Sequence, residues 1–201
     1  LREASQSLAT AEEVTVEDVV RLHAALLPGD AHRGLRRVQN WIGGSSWHPL
    51  DSEFVPPPHE MVPGLMSDLV DYVNGAAHSP LVQAGLVHAQ FETIHPFTDG
   101  NGRVGRALIH TVLARRGLTS GAVLPVSMVL ATLRETYVTG LTSSRFDGGE
   151  PSSASAGASS WLRVFVDAAG VAVEQAGRLI LEVAELRSEW EARLSEHRSA
   201  A

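Results

Sequence analysis

The chain has 201 residues, enough for one domain with or without a helical extension, and its 44% hydrophobic and 19% charged residues predict a packed core rather than disorder. The formal net charge is −7 and all 16 basic residues are arginine, which argues against general nucleic-acid binding but leaves local arginine clusters able to grip a phosphorylated small molecule. Cysteine is absent, excluding disulfides, thiolate metal sites and a cysteine nucleophile, and no apolar run approaches the ~20 residues of a membrane span.

In chain order, Val14 to Leu27 places Val16, Val19, Val20, Leu22 and Leu26 at helical spacing and ends at Pro28-Gly29. Gly34 to Ser52, with Gly43-Gly44 and two tryptophans, reads as a small hairpin or ordered loop, and Pro56-Pro57-Pro58 as a stiff connector. Met61 to Val73 is amphipathic. Ser79-Pro80 fits an N-cap and first helical position for a strongly apolar helix, Leu81 to Ile94. After a polar break, Arg103 to Arg116 resumes helical periodicity and stops at Gly117. Val126 to Leu141 predicts one further helix, Asp147 to Ser160 a mobile Gly/Ser/Ala-rich loop, and Trp161 to Arg198 a long helix with breaks at Gly170 or Gly177. The expected class is all-α with one small hairpin.

The break between the two apolar helices reads His95-Pro96-Phe97-Thr98-Asp99-Gly100-Asn101-Gly102-Arg103-Val104-Gly105-Arg106. His95 ends a rigid element and can serve as a base near neutral pH. Phe97, apolar in a polar loop, is expected to plug into the core. Asp99 is a hard oxygen ligand suited to Mg²⁺. Gly100 and Gly102 let backbone N–H groups approach an anion, and the helix that starts there adds free donors and a favourable dipole. Arg103 and Arg106, three apart, can face one phosphate group. Base, metal ligand, anion nest and arginine pair form a kit for attack of a hydroxyl on phosphorus. The other eight histidines are scattered without zinc-ligand spacing; His88, two turns before His95, reads as a packed core residue.

This segment resembles the signature of the Fic family, H-P-F-x-[D/E]-G-N-G-R-x-x-R, at every defined position. Arg36 to Gly44, with Gln39-Asn40-Trp41-Ile42-Gly43-Gly44, resembles the family's flap, Phe54 to Pro58 the flap's exit, His88 to Ile94 the helix entering the motif, and Thr136-Tyr137 part of a tyrosine pair near the adenine, of which only the second tyrosine is present. The resemblance implies a Fic-like helical bundle with a β-hairpin flap over the active site. The corresponding domain is 1–145, with flap 36–47 and motif 95–106, followed by a flexible loop 146–160 and a C-terminal helical extension 161–201 packed on the domain.

It further implies a protein adenylyltransferase that moves AMP from ATP to a Ser, Thr or Tyr hydroxyl. His95 is then the base and Asp99 the holder of Mg²⁺. Thr98, Asp99, Gly100, Asn101, Gly102, Arg103, Val104, Gly105, Arg106 and Tyr137 bind the nucleotide, with the Asn101 side chain aiding the α-phosphate. Asn40, Trp41, Ile42 and Gly43 hold the target by strand addition. Trp41 is alternatively a core anchor of the hairpin, and Tyr137 a core residue. Gly102 stands where the Doc-like kinase branch has lysine, which favours AMP transfer; transfer of UMP, GMP or phosphocholine, and a non-catalytic nucleotide- or partner-binding module, are the alternatives. The inhibitory pattern [S/T]-x-x-x-E-[G/N] of many relatives is absent from the chain. An inhibitory helix is therefore expected from sequence upstream of Leu1 or from a partner protein, with Glu174 a third option. A homodimer is an alternative use of the last helix, and neither nucleic acid nor a membrane is an expected partner. With no signal peptide visible, a cytoplasmic location is expected.

Overall fold

The computed structural model describes residues 8–29, 33–45, 47–119, 124–145 and 151–199. Its helices, after a helical stretch at 8–10, are α1 Val16–Leu26, α2 Val62–Asn74, α3 Pro80–Ile94, α4 Asn101–Arg115, α5 Val126–Thr132, α6 Arg134–Ser144 and α7 Pro151–Ser199, with a 3-10 turn His59–Met61 before α2.

Helix α3 is the centre of the bundle. Its sequence is apolar almost all round rather than along one stripe, and a helix of that kind is stable only when surrounded. Nine of its residues are buried, from Gln83 to Ile94, with α2, α4 and α7 packed about it. Two glycines set the spacing. A Cβ at Gly85 would lie 3.0 Å from the Phe165 ring of α7, and the Trp161 indole N–H donates to the Gly85 carbonyl at 2.8 Å. A Cβ at Gly105 of α4 would lie 2.6 Å from the Glu92 carboxyl, so α4 reaches α3 only with glycine there.

The helix ends follow local chemistry. Thr15 and Asp18 form a reciprocal capping box that starts α1. Ser79 and Pro80 occupy the N-cap and first position of α3 as the sequence predicts, although the Ser79 hydroxyl makes no capping bond. Gly117 adopts φ +72° after α4, and the Leu118 N–H to Leu113 carbonyl and Gly117 N–H to Ala114 carbonyl bonds complete a Schellman turn.

Three expectations are corrected. First, the described residues contain no strand: the segment expected as a β-hairpin flap holds one isolated antiparallel bridge, Ile42 to Phe54. Gly43 and Gly44, both at positive φ, turn the chain away immediately after Ile42, and Pro56 to Pro58 supply no N–H groups to extend a ladder. Second, the helix expected over 126–141 is two, α5 and α6, broken at Leu133 with ψ 41°. Both then lie against α7, burying Val126, Val129, Leu130 and Leu141, a packing requirement no local breaker residue signals. Third, 151–160, expected within a mobile loop, forms the first turns of α7, while 146–150 lie outside the described residues. Pro151 suits a first helical position and the alanines favour helix; Gly157 and Gly140 permit close approach of α6 and α7. Neither Gly170 nor Gly177 breaks α7. The helix buries Trp161, Phe165, Ala168, Ala169 and Ala172 against the bundle, and no described residue beyond Ala172 is buried.

Candidate active site

The site is built on the turn joining α3 to α4. Pro96 disfavours helical geometry at His95, and α3 ends there with the His95 backbone in the left-handed region, φ 50°, its N–H still donating to the Phe91 carbonyl at 2.9 Å. His95 is the only non-glycine residue with positive φ among those described, a strained conformation held by the surrounding loop.

Several contacts hold that loop. Phe97 is fully buried, stacking on the His23 ring at 3.9 Å and tilting against Phe91. The Phe97 N–H donates to Asn101 Oδ1 at 2.9 Å, and Asn101 Nδ2 donates back to the Phe97 carbonyl at 2.8 Å. His23 Nε2 donates to the Asp99 carbonyl at 3.0 Å. Gly100 caps α4 with φ +80°, and a Cβ there would collide with Leu27.

Arg36 binds the loop to the preceding segment. It is 4% exposed, and its guanidinium donates to the carbonyls of His95 (2.9 Å), Val38 (3.2 Å), Pro57 (2.5 Å) and Ile94 (3.3 Å). Its own N–H donates to the Pro96 carbonyl at 2.8 Å. Asn40 Nδ2 donates to the Phe97 carbonyl at 3.1 Å. Trp41 donates its indole N–H to the Ser45 carbonyl, and Trp41, Ile42 and Gly43 are partly or fully exposed.

What this frame leaves open is a cavity of about 340 Å³ lined by His95, Thr98, Asp99, Gly100, Asn101, Gly102, Arg103 and Arg106. Eight predicted site residues are thus brought together. Val104 and Gly105 are turned into the bundle, and Tyr137 does not line this cavity. The Tyr137 hydroxyl meets His88 Nε2 at 3.0 Å beside Trp161, and burial raises its pKa. Asn101 commits both polar ends of its side chain to Phe97. Its backbone N–H and that of Gly102 belong to the donor-rich first turn of α4. A neighbouring cavity of about 650 Å³, sharing Thr98, is lined by Arg33, Arg37, Val38, His59 and Pro63 among others.

Charges in the site are arranged by burial. The His95 ring lines the cavity while its Nδ1 is buried without a hydrogen bond; burial, opposed by the nearby Glu92 carbonyl, pulls its pKa down to about 4. The ring is neutral at pH 7. Asp99 is exposed, its Oδ1 accepting from the Gly100 N–H at 2.6 Å and its Oδ2 from Arg103 at 3.4 Å. No group of three or more metal-ligating side chains occurs among the described residues. A single accessible carboxylate beside an anion-binding helix start fits Mg²⁺ held jointly with nucleotide phosphates, not a protein cage. Arg106 folds over Gly102, its Nη1 3.0 Å from where a Cβ there would stand. Glu174 is exposed on α7, outside this cavity.

Sequence reasoning did not single out His23, Arg36, Glu92 or Arg145. Glu92 sits behind His95, 7% exposed, and burial raises its carboxyl pKa to about 7 against the pull of Arg106 and Arg145. Arg145, at the end of α6, stacks over the Phe54 ring at 3.6 Å.

Residues 13–113 match the family model described as the Fic/DOC family. The chain belongs to the Fic/DOC family. Curated relatives of this chain carry adenylyltransferase names. A probable protein adenylyltransferase of Aquifex aeolicus is 33% identical over 63% of this chain and 38% of its own length. A protein adenylyltransferase Fic of Drosophila willistoni is 36% identical over 55% of this chain and 22% of its own length. The Fic/DOC chain thus spans well under half of these relatives. Among solved structures, a Fic family protein from Desulfovibrio desulfuricans superposes with a TM-score of 0.66 at 28% identity, over 88% of this chain and 51% of that one. Among the described residues, no helix is long and apolar enough to cross a membrane.

Proposed function

We propose that this Fic/DOC domain is a protein adenylyltransferase, moving AMP from ATP onto a Ser, Thr or Tyr hydroxyl of another protein. The observation that carries the reading is the convergence of His95, Asp99, the donor-rich start of α4 and two arginines on one cavity, in a chain whose relatives bear that name. The target oxygen attacks the α-phosphorus and gives its proton to the accessible edge of neutral His95. The bond from the α-phosphorus to the bridging oxygen breaks, and its electron pair leaves with pyrophosphate. Arg103, Arg106 and the first-turn N–H groups hold the anionic oxygens in place, an arrangement set before the substrate arrives. Asp99 would hold Mg²⁺, which supplies positive charge at the phosphates.

The segment 36–47 serves as the flap, with Trp41, Ile42 and Gly43 along the target and Asn40 fixing it to the catalytic loop. The working domain is 1–145, and the exposed part of α7 lies outside it. Restraint of Arg106 comes from a helix outside the described bundle, in the same chain or a partner.

The test is a donor panel of ATP, GTP, UTP and CDP-choline with Mg²⁺ and a cell lysate, read by mass spectrometry of modified proteins. ATP should give AMP-modified hydroxyls and His95→Ala none. Equal modification by wild type and His95→Ala, or preference for another donor, overturns the assignment.

A further inference from the structure

Glu92 is an acid on the innermost helix, where a carboxyl costs stability unless it is paired or used. Its Oε1 is buried and makes no hydrogen bond. Its Oε2 stands 3.9 Å from His95 Nδ1, itself buried and without a hydrogen bond. The fold makes room for this carboxyl: at Gly105 any Cβ would lie 2.6 Å from Glu92 Oε1 and 3.1 Å from His88 Nδ1. The second carboxyl oxygen, Oε2, faces the unsatisfied His95 Nδ1 behind the cavity, and the two form a relay-like pair, while Oε1 is on the Gly105 side. Its separation is longer than a hydrogen bond, as is common at catalytic contacts before substrate binds.

We propose that Glu92 is the positioning residue for the catalytic base: its carboxylate accepts the Nδ1–H of His95, fixes the tautomer whose Nε2 faces the cavity, and steadies the imidazolium formed in the reaction. No proton passes to Glu92. The target hydroxyl's proton ends on His95 Nε2, and the carboxylate offsets the new positive charge. Five groups face the pair: Arg106 from α4, Arg145 at the end of α6, Tyr137 on α6, His88 on α3, and Arg36, which acts on His95. The Glu92 backbone carbonyl also faces Nδ1, so the test must separate carbonyl from carboxylate. The ionised form of Glu92 is the one required, and with its pKa near 7 the wild-type rate should rise through neutral pH.

The activity arm rests on the adenylyltransferase reading; a spectroscopic arm does not. With α-labelled ATP and Mg²⁺, modification of the chain itself or of lysate proteins by Glu92→Gln should slow ~10–100-fold, part of the ~10²–10⁴-fold a general base contributes. Affinity for ATP should stay within about twofold of wild type. The rise through pH 7 should vanish, and Glu92→Asp should recover part of the rate. In ¹⁵N-histidine-labelled wild type, His95 should carry its proton on Nδ1. A Glu92→Gln rate equal to wild type, a loss matched by lost ATP affinity, or an Nε2-protonated His95 overturns the proposal. Should Glu92→Gln fail to fold, the rate, pH profile and His95 spectrum of Glu92→Asp decide: all three unchanged from wild type would overturn the proposal. Absence of labelling by wild type with every donor would sink the adenylyltransferase reading instead, and the His95 spectrum of Glu92→Gln against wild type would still judge Glu92: an unchanged tautomer and Nδ1 shift would assign the backbone carbonyl and overturn the carboxylate role.

Discussion

Replacing Arg36 by lysine tests whether the catalytic loop is held from outside the motif. The guanidinium donates to four backbone carbonyls that converge from three segments: His95 and Ile94 at the end of α3, Val38 in the flap segment, and Pro57 in the connector. A lysine keeps the charge but presents donors from one nitrogen, so it cannot span the fork. At least two of the four bonds are then lost. A hydrogen bond to a charged donor contributes ~1.5–3 kcal/mol, and water can reach the half-buried carbonyls of Val38 and Pro57, so a net loss of ~2–4 kcal/mol is expected. That is a large share of the ~5–15 kcal/mol typical of a domain. Urea unfolding gives the stability change, and the transfer rate at a urea-free temperature well below the transition gives the functional one. Because the left-handed His95 backbone is held partly through its carbonyl, the rate should fall ~10-fold or more even while the protein is folded. Arg36→Lys with stability within about 0.5 kcal/mol of wild type and an unchanged rate would show that the loop needs no external clamp, and the argument would fail.

Tyr137→Phe should cost ~1–2 kcal/mol by leaving His88 Nε2 without its partner, while ATP affinity stays within about twofold; a tenfold loss measured by calorimetry would put Tyr137 against the nucleotide after all. Gly100→Ala should lose ~2–4 kcal/mol in urea unfolding, from φ +80° and the collision with Leu27, and a loss below about 0.5 kcal/mol would refute the packing described. His88, with its pKa lowered to about 4 by burial, contributes stability that is present above pH 6.5 and lost as pH falls through 4. Glu92, raised to about 7, contributes stability present below pH 4.5 and lost as pH rises through 7, so Glu92→Gln should gain stability between pH 5 and 7.5 by up to about 3 kcal/mol more than wild type does; parallel pH curves would contradict this.

The sequence made the motif legible because its chemistry is local. A base, a hard oxygen ligand, two glycines and two arginines within His95 to Arg106 reach one cavity through the geometry of a single helix–turn–helix, so spacing alone places them. The same locality explains Phe97, Gly117 and the start of α3. What spacing cannot show is contact across the chain. Arg36 meets residues nearly sixty positions away, His23 meets Asp99 across 76 positions, and neither has a local pattern that marks it. Glu92 was hidden differently, as one acid in a run that reads as core; its apolar flanks were the signal, since a lone carboxyl inside such a helix requires a reason. The hairpin form of segment 36–47, the break at Leu133 and the first turns of α7 were misread because composition stands in poorly for packing. Gly43-Gly44 promised a hairpin but end the pairing, and Ser/Gly/Ala-rich 151–160 is helical where it lies on α6.

The division of labour in the site follows from these contacts. The loop is fixed by ring stacking and by polar groups spent on the backbone: Phe97 on His23, Asn101 on Phe97, Arg36 on four carbonyls. The groups that carry or change charge, His95, Asp99, Arg103 and Arg106, face the cavity. A frame of this kind lets an anion enter without breaking the contacts that shape its site, so the proposed transfer would need little reorganisation as charge develops at phosphorus. Glu92 is the exception, a titratable group inside the frame rather than on its open side. That places the pH sensitivity of the reaction behind the base, where substituting it should alter the rate profile and leave the anion-holding surface intact.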